Sequence, residues 1–461
     1  MEKEVQYKAY KFRLLPSEEQ SVLLSKHFGC VRFVYNHFLK EKQDHYLLNK
    51  KTLNFNNCCK SLTDLKSKQD FVWLKEVNSQ AIQASLHNLE NAYQAFFSKR
   101  SQFPKFKSKK SNYDSFNVPQ SVKVLKNNRV QIPKFKQGIK FIKHREIKGK
   151  ICSATVSRTP TGKYYISILT EQEPTKHLEK TGKSIGIDLG IKDFAITSDN
   201  RKYSNPKFLY KYQRKLKTAQ QHLSRKQKGS KSRELARKKV AKIHEKITNS
   251  RNDMQHKVSM SLIRKYDMIA LEDLNVKGMV KNHCLAKAVS DSSWSSFVTK
   301  LTYKARWYGK RVIKIDRFFP SSKTCSDCGH INQHLTLDVR NWTCICGSKH
   351  DRDVNASKNI LKRALVIQSS GTDDYRNGAK IRPKEISKVS GGTGNEVSKK
   401  KVYVIKDRKP MDLSSIGSSP DIYTHIPKAV QELLNACGPD RENRNLFSEL
   451  KEGIDELEKR R

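Results

Sequence analysis

Apolar and polar side chains alternate over residues 4–14, with Val5, Tyr7 and Ala9 on one face and Gln6, Lys8 and Tyr10 on the other, which predicts a strand. The period then changes. Ser17 and Gln20 have capping-box spacing, each able to satisfy a free donor at a helix start, and Val22, Leu23, Cys30, Val34 and Phe38 carry the helical pattern onward. A second amphipathic run, Ser79–Phe97, places Ile82, Leu86, Leu89, Tyr93 and Phe96 on one face. Residues 101–180 interleave Lys and Phe in SQFPKFKSKK and QIPKFKQGIKFIKHREIKGK, then form a hairpin pattern over Ile151–Leu169 that turns at Thr161-Gly162-Lys163. They predict a small basic β-domain that the N-terminal strand joins.

From 181 to 365, apolar runs of strand length alternate with long helical patterns. The runs are Ser184–Ile187, Phe194–Thr197, Met268–Leu271 and Arg311–Ile315; a charged helical hairpin near 208–264 breaks at Gly229-Ser230-Lys231, and another helix lies near 293–308. Beyond about 369 the pattern dissolves into Ser, Gly, Asp and Lys. Gly391-Gly392-Thr393-Gly394 looks like a nucleotide loop, but no strand precedes it and no helix follows, so it reads as a linker. Two short amphipathic helices are predicted near 427–437 and 443–460. No internal repeat stands out.

Charge narrows the partners. Ninety-two Lys and Arg oppose 45 Asp and Glu, a formal net charge of +47 over 461 residues. A chain this basic needs a polyanion, and nucleic acid is the usual one. Residues 401–461 carry 11 basic and 11 acidic side chains, so the entire excess lies in residues 1–400. The charged hairpin is accordingly read as a phosphate-contacting surface rather than only a solvated face. The start, MEKEVQYKAYKFRLLP, has no apolar signal region, no stretch reaches transmembrane length, and four of the ten cysteines crowd one segment. That predicts an intracellular protein with one metal site, cytoplasmic and nucleoid-associated in a bacterial cell, not a disulfide scaffold.

Three carboxylates stand at the ends of apolar elements. Asp188 lies in Ser-Ile-Gly-Ile-Asp-Leu-Gly, flanked by glycines that permit close approach; Glu272 ends Met268-Ile269-Ala270-Leu271; Asp353 lies just ahead of a predicted helix Ala356–Ala364. Each alone could be a strand end or a helix cap. Three converging carboxylates would repel one another, and hard divalent cations such as Mg²⁺ relieve that repulsion. Two such ions roughly 4 Å apart would serve phosphodiester hydrolysis. Separately, Cys325-x₂-Cys328 and Cys344-x-Cys346, each followed by glycine, have the spacing of a four-thiolate structural Zn²⁺ site, with His330 and His350 as less favoured substitutes.

At these residues the chain resembles the TnpB family, relatives of compact type V CRISPR effectors and of Fanzor proteins. The likeness covers about 1–385 and runs through YKFRLLPSEEQ, SQAIQASLHNLENAYQAFFSKRSQFPKFKSKKS, GIDLGIKDFAITS, IALEDLNVKGM, FPSSKTCSDCG and CGSKHDRDVNASKNIL. It implies an α/β chain with five parts. A β-barrel wedge domain would span 1–15 and 101–180, and a helical recognition domain 16–100. An RNase H-like (RuvC) nuclease domain would span 181–318 and 349–368, a zinc-binding insert 319–348, and a charge-balanced tail 369–461. Carried over by residue, Asp188, Glu272 and Asp353 would bind two Mg²⁺ and catalyse, with Asp351 the less favoured neighbour of Asp353. Cys325, Cys328, Cys344 and Cys346 would bind one structural Zn²⁺. Ser79, Gln80 and Gln83 correspond loosely to a region that contacts a motif beside the target. The implied partners are a guide RNA from the mobile element and double-stranded target DNA, with no membrane; monomer and dimer both stay open. The second cysteine pair departs from the family, having one intervening residue where many relatives have two.

The expected activity is therefore RNA-guided cleavage of DNA, in which base pairing supplies sequence specificity. A nuclease-inactive repressor would not need the carboxylate set. A DDE-type transposase would not explain a zinc insert just before Asp353, and a structural RNA-binding protein would need neither.

Overall fold

The computed structural model describes residues 5–109, 114–336 and 338–370. The helices expected near 427–437 and 443–460, and the Gly391–Gly394 linker, lie outside them.

The chain starts with strand β1 (Gln6–Leu15) and passes to helix α1 (Glu18–Asn49). Ser17 and Gln20 form the expected capping box: Gln20 N–H donates to Ser17 Oγ and Ser17 N–H donates to Gln20 Oε1, both at 3.2 Å. Helices α2 (Phe55–Ser67) and α3 (Ser79–Phe97) follow, joined by a 3₁₀ turn over Gln69–Glu76. His27 ties α1 to the start of α3. Its Nδ1–H donates to Leu23 O at 2.8 Å, which leaves Nε2 to accept Asn78 N–H at 3.1 Å.

Strands β2 (Asp114–Val118), β3 (Lys123–Leu125), β4 (Arg129–Gln131), β5 (Ile139–Ile142), β6 (Lys150–Arg158) and β7 (Tyr164–Gln172) join β1 in a seven-stranded sheet. Its order is β2-β6-β7-β1-β5-β4-β3, antiparallel throughout, so the N-terminal strand does sit centrally among strands more than a hundred residues away. The inward face of β1 is the one that carries Tyr10. Tyr7 and Ala9 are exposed while Tyr10, Phe12 and Leu14 are buried against Phe116, Ile139, Val156 and Ile166 and against Leu24 and Phe28 of α1. Side chains alternate with period two, so one pair of large residues at the strand's far end, Phe12 and Leu14, fixes the parity of the whole strand.

A second sheet contains β8 (Ser184–Asp188), β9 (Asp193–Thr197), β10 (Lys202–Ser204), then, after helices α4 (Phe208–Ser224) and α5 (Lys231–Lys265), β11 (Met268–Glu272). Helices α6 (Val276–Met279), α7 (His283–Ser292) and α8 (Trp294–Tyr308) lead to β12 (Arg311–Ile315). The order is β10-β9-β8-β11-β12, with β8, β11 and β12 parallel and the β8-β9-β10 side antiparallel. A short hairpin, β13 (Asn341–Thr343) and β14 (Lys349–Asp351), precedes α9 (Arg352–Ser369).

The central strand β11 is apolar at four successive positions because both faces are covered. Ile269 and Leu271 pack with Leu262 and Ile263 of α5 and with Phe297 and Leu301 of α8; Met268 and Ala270 pack with Ile360 and Ala364 of α9. Between α5 and α8 lie two buried ammonium groups held by neutral acceptors. Lys300 donates to Asn252, Gln255 and Ser296, and Lys304 donates to His256 O and Ser259 Oγ. Burial, followed by the charge of Lys300, pushes Lys304 down to about 8.

Candidate active site and metal centre

Asp188 and Glu272 end neighbouring parallel strands. The register pairs Ile187 with Leu271, so the next position sets Asp188 beside Glu272 at the carboxyl edge of the sheet. Period two then decides which way both point. They share parity with Gly186 and Ala270, which face α9. Gly186 lets the helix come close: a Cβ there would lie 2.0 Å from Ser357 O and 2.7 Å from Leu361 N. Glycine in this strand therefore serves the approach of a helix backbone, and α9 brings Asp353 in its first turn toward the strand ends.

Burial pushes the Asp188 carboxyl up to about 7, and the charges of Glu272 and Asp353 push in the same direction. Burial also raises Glu272, against a hydrogen bond donated by Ser321 Oγ to its Oε1. Asp353 is gripped by Arg340, whose Nη1 lies 3.2 and 3.1 Å from its two carboxylate oxygens. Each carboxylate of the trio thus has a protein environment of its own. Among the described residues, the groups of three or more ligand atoms within 4.8 Å of one another all lie at the cysteines.

The helix carrying Asp353 starts at Arg352, four residues earlier than the sequence pattern places it. Asp351 explains the shift: its Oδ1 accepts Asp353 N–H at 3.1 Å and Val354 N–H at 3.2 Å, the work of an N-cap. Its Oδ2 accepts from Lys202 Nζ at 2.7 Å. Burial opposes ionisation of Asp351, but these hydrogen bonds outweigh it and hold the carboxyl below the usual range. Asp351 is accordingly occupied as a cap, leaving Asp353 as the member of the pair nearer in charge to Asp188.

The four cysteines converge. Cys325 Sγ lies 3.8 Å from Cys346 Sγ, and Cys328 Sγ lies 3.6 Å from Cys344 Sγ. Tetrahedral zinc with Zn–S of about 2.3 Å requires a sulfur–sulfur edge of about 3.8 Å, so the set fits that ion. Gly329 and Gly347 take positive φ, 82° and 85°, in the turns that close the two pairs. His330 contributes its backbone carbonyl, which accepts Cys325 N–H at 2.8 Å. His350 is the nearer of the two histidines: its Nε2 lies 3.0 Å from Cys325 Sγ, the ring tilted against Trp342.

The cysteine cluster is laced to α9. Asn355 accepts Ser326 N–H at 2.8 Å and donates to Thr324 O at 2.7 Å, while Asn359 donates to Ser321 O and Thr324 O. Ser321, Arg340, Lys202 and Asn355 are contacts that residue patterns alone did not single out. Ser321 had a signal, since it stands in FPSSKTCSDCG, a motif otherwise notable for its cysteines.

Ser79 and Gln83 are exposed at the start of α3, and Gln80 is partly buried. Asn78 Oδ1 caps this helix by accepting Gln80 N–H at 3.1 Å. Gln80 Oε1 and Asn78 Nδ2 have no hydrogen-bond partner, whereas Gln83 Nε2 is directed at Cys59 Sγ, 3.8 Å away.

Among protein families, the one described as "Probable transposase" matches residues 167–283, a Cas12f1-like TNB domain matches 294–360, and a "Helix-turn-helix domain" matches 1–51. In that last segment the chain forms one strand and one continuous helix. A Streptomyces pristinaespiralis protein named "Putative RNA-guided DNA endonuclease" is 37% identical over 386 residues, 83% of this chain and 94% of its own length. The Escherichia coli K12 protein named "Putative RNA-guided DNA endonuclease InsQ" is 31% identical over 380 residues, 79% of this chain and 94% of its own. A "TnpB-like protein" of Acanthamoeba polyphaga mimivirus is 31% identical over 219 residues, 44% of this chain and 41% of its own.

Proposed function

The chain belongs to the TnpB family, and we infer that it is an RNA-guided DNA endonuclease that hydrolyses phosphodiesters at Asp188, Glu272 and Asp353. The observation that carries the site is the parallel pairing of β8 with β11 up to Ile187 and Leu271, which sets Asp188 and Glu272 at adjoining strand ends beneath the first turn of α9. The strand order, with an antiparallel first hairpin and two parallel additions, supports an RNase H-like (RuvC) fold. The curled antiparallel sheet supports the β-barrel wedge reading of 1–15 and 101–180, with 16–100 as the helical recognition insertion. The cysteine geometry supports a Zn²⁺-binding insert over 319–348 within a nuclease domain of 181–318 and 349–368.

The carboxylate trio would hold two Mg²⁺, which when bound stabilise the attacking and leaving oxygens of an in-line displacement. The chain's own residues prepare that site. Burial, followed by the charges of Glu272 and Asp353, raises Asp188 to about 7, and bound divalent cations would relieve that cost. Ser321 fixes one oxygen of Glu272 and so orients the carboxylate. Arg340 restrains Asp353 and must yield an oxygen for ligation. A zinc held by Cys325, Cys328, Cys344 and Cys346 would keep no open position, and so would hold the insert against α9 and leave chemistry to the carboxylates. The +47 charge supplies sequence-independent attraction for a guide RNA and for double-stranded target DNA. Ser79, Gln80 and Gln83 would face the target-adjacent motif, with Ser79 and Gln83 exposed at the start of α3.

The test is to express the chain with its flanking DNA, sequence the copurifying RNA, and present a matched target beside a randomised flank. Mg²⁺-dependent cutting is expected, abolished by Asp188→Ala, Glu272→Ala or Asp353→Ala while RNA still copurifies. Cutting at full rate by Glu272→Ala overturns the site; joined rather than cut products favour a transposase.

A further inference from the structure

Phe318 is 92% exposed, more than any other large apolar side chain among the described residues. An exposed apolar residue by itself is ordinary. The position of this one is what matters. It stands three residues beyond Ile315, which pairs in register with Glu272, and three residues before Ser321, which donates to the Glu272 carboxylate. The ring therefore sits on the loop that leaves the carboxyl edge of the sheet where the carboxylates gather.

The loop is braced everywhere except at that ring. Phe319 N–H donates to Asp316 O at 3.2 Å, closing a turn with Arg317 and Phe318 at its centre. Arg317 donates to the backbone oxygen of Asp273 at 3.1 Å and to its carboxylate at 2.5 Å, which fastens the turn to the residue after Glu272. Arg363 of α9 pairs with Asp316 at 2.7 Å and lies over the Phe319 ring at 5.9 Å. Phe319 packs into the core between β11, β12 and α9. Two adjacent phenylalanines thus have opposite fates, one anchoring the loop and the other presented to solvent by a fixed backbone.

From this we propose that Phe318 is a stacking platform for one unpaired base of the DNA strand being cut, seating the nucleotide beside the scissile phosphate. The inference rests on the nuclease reading above. An aromatic face held rigidly at a site in a strongly basic chain matches single-stranded DNA, because every base offers a π-face and stacking tolerates any sequence. The neighbouring carboxylates do not oppose it, since Asp273 is neutralised by Lys314 and Arg317, and Asp316 by Arg363.

The experiment uses the guide-loaded protein. Single-turnover cutting of matched DNA should slow about tenfold in Phe318→Ala, within the range expected for one lost base stack, and recover in Phe318→Trp. Melting temperatures should not change, the ring being outside the core. In an Asp188→Ala background, which holds target uncut, 2-aminopurine placed successively around the cut site should be quenched at one position. That quenching should be lost in Phe318→Ala and restored in Phe318→Trp. Wild-type rates in Phe318→Ala, or slower cutting with unchanged fluorescence, overturn the stacking role alone. A wild-type protein that never cuts matched DNA overturns the nuclease reading, and this inference with it.

Discussion

Asp267 offers a stability test far from the carboxylates at the opposite edge of the sheet. It precedes β11 and ties the beginnings of all three parallel strands. Its Oδ2 accepts Thr181 N–H at 2.8 Å and Gly182 N–H at 2.6 Å ahead of β8, and its backbone bonds to Lys183 and Arg311. Its Oδ1 accepts from Lys310 Nζ at 2.5 Å, on a lysine whose side chain is only 1% exposed. Asp267→Ala leaves that ammonium with one acceptor, Glu179 O, and passes the two exposed backbone donors to water. Breaking a buried pair from one side costs about 3–5 kcal/mol. The Asp267 side chain is 26% exposed, so water softens the loss toward about 3 kcal/mol.

Burial resists ionisation of Asp267, but hydrogen bonds from Lys310, Thr181 and Gly182 win and hold its pKa at about 2. A depressed carboxyl pKa contributes stability that is present above the unfolded value of 3.8 and lost as pH falls toward 2. The wild-type advantage over Asp267→Ala should therefore be full at pH 7 and shrink below about pH 4. Urea unfolding at several pH values measures it, and a Lys310→Met second substitution should recover part of the loss. A deficit under 1 kcal/mol at pH 7, or one that grows as pH falls, would refute the reasoning.

Gly186→Ala should abolish cutting while RNA copurification persists, because the added methyl meets Ser357 O and pushes α9, with Asp353, off the strand ends; cleavage assays with RNA quantitation check it. Cys325→Ser should lower zinc content below one per chain by mass spectrometry and reduce solubility more than it selectively slows cutting. Truncation after residue 385 should preserve guided cleavage, since residues 386–461 carry only +2 of the +47 that drives counterion release; loss of guide RNA on truncation would contradict that.

The sequence alone determined what local periodicity and chemistry can encode. The α1 capping box, the Ser79–Phe97 helix, the apolar strands and the cysteine spacing could all be read from residues within a few positions of one another. Tertiary structure decided everything that depends on which face meets which partner. Alternation predicted β1, but only packing against Phe116 and Ile166 showed that Phe12 and Leu14, not Tyr7 and Ala9, point inward. The glycine before Asp188 suggested close approach, yet the helix that approaches lies some 170 residues downstream, at Ser357. Lys300 and Lys304 lie buried because they find acceptors in α5 about 45 residues earlier. Arg340 and Ser321 take partners 13 and 49 residues away. Side-chain partners like these follow from strand register and helix docking, which short-range pattern does not contain, whereas a carboxylate at a strand end or a paired cysteine announces itself by type and position.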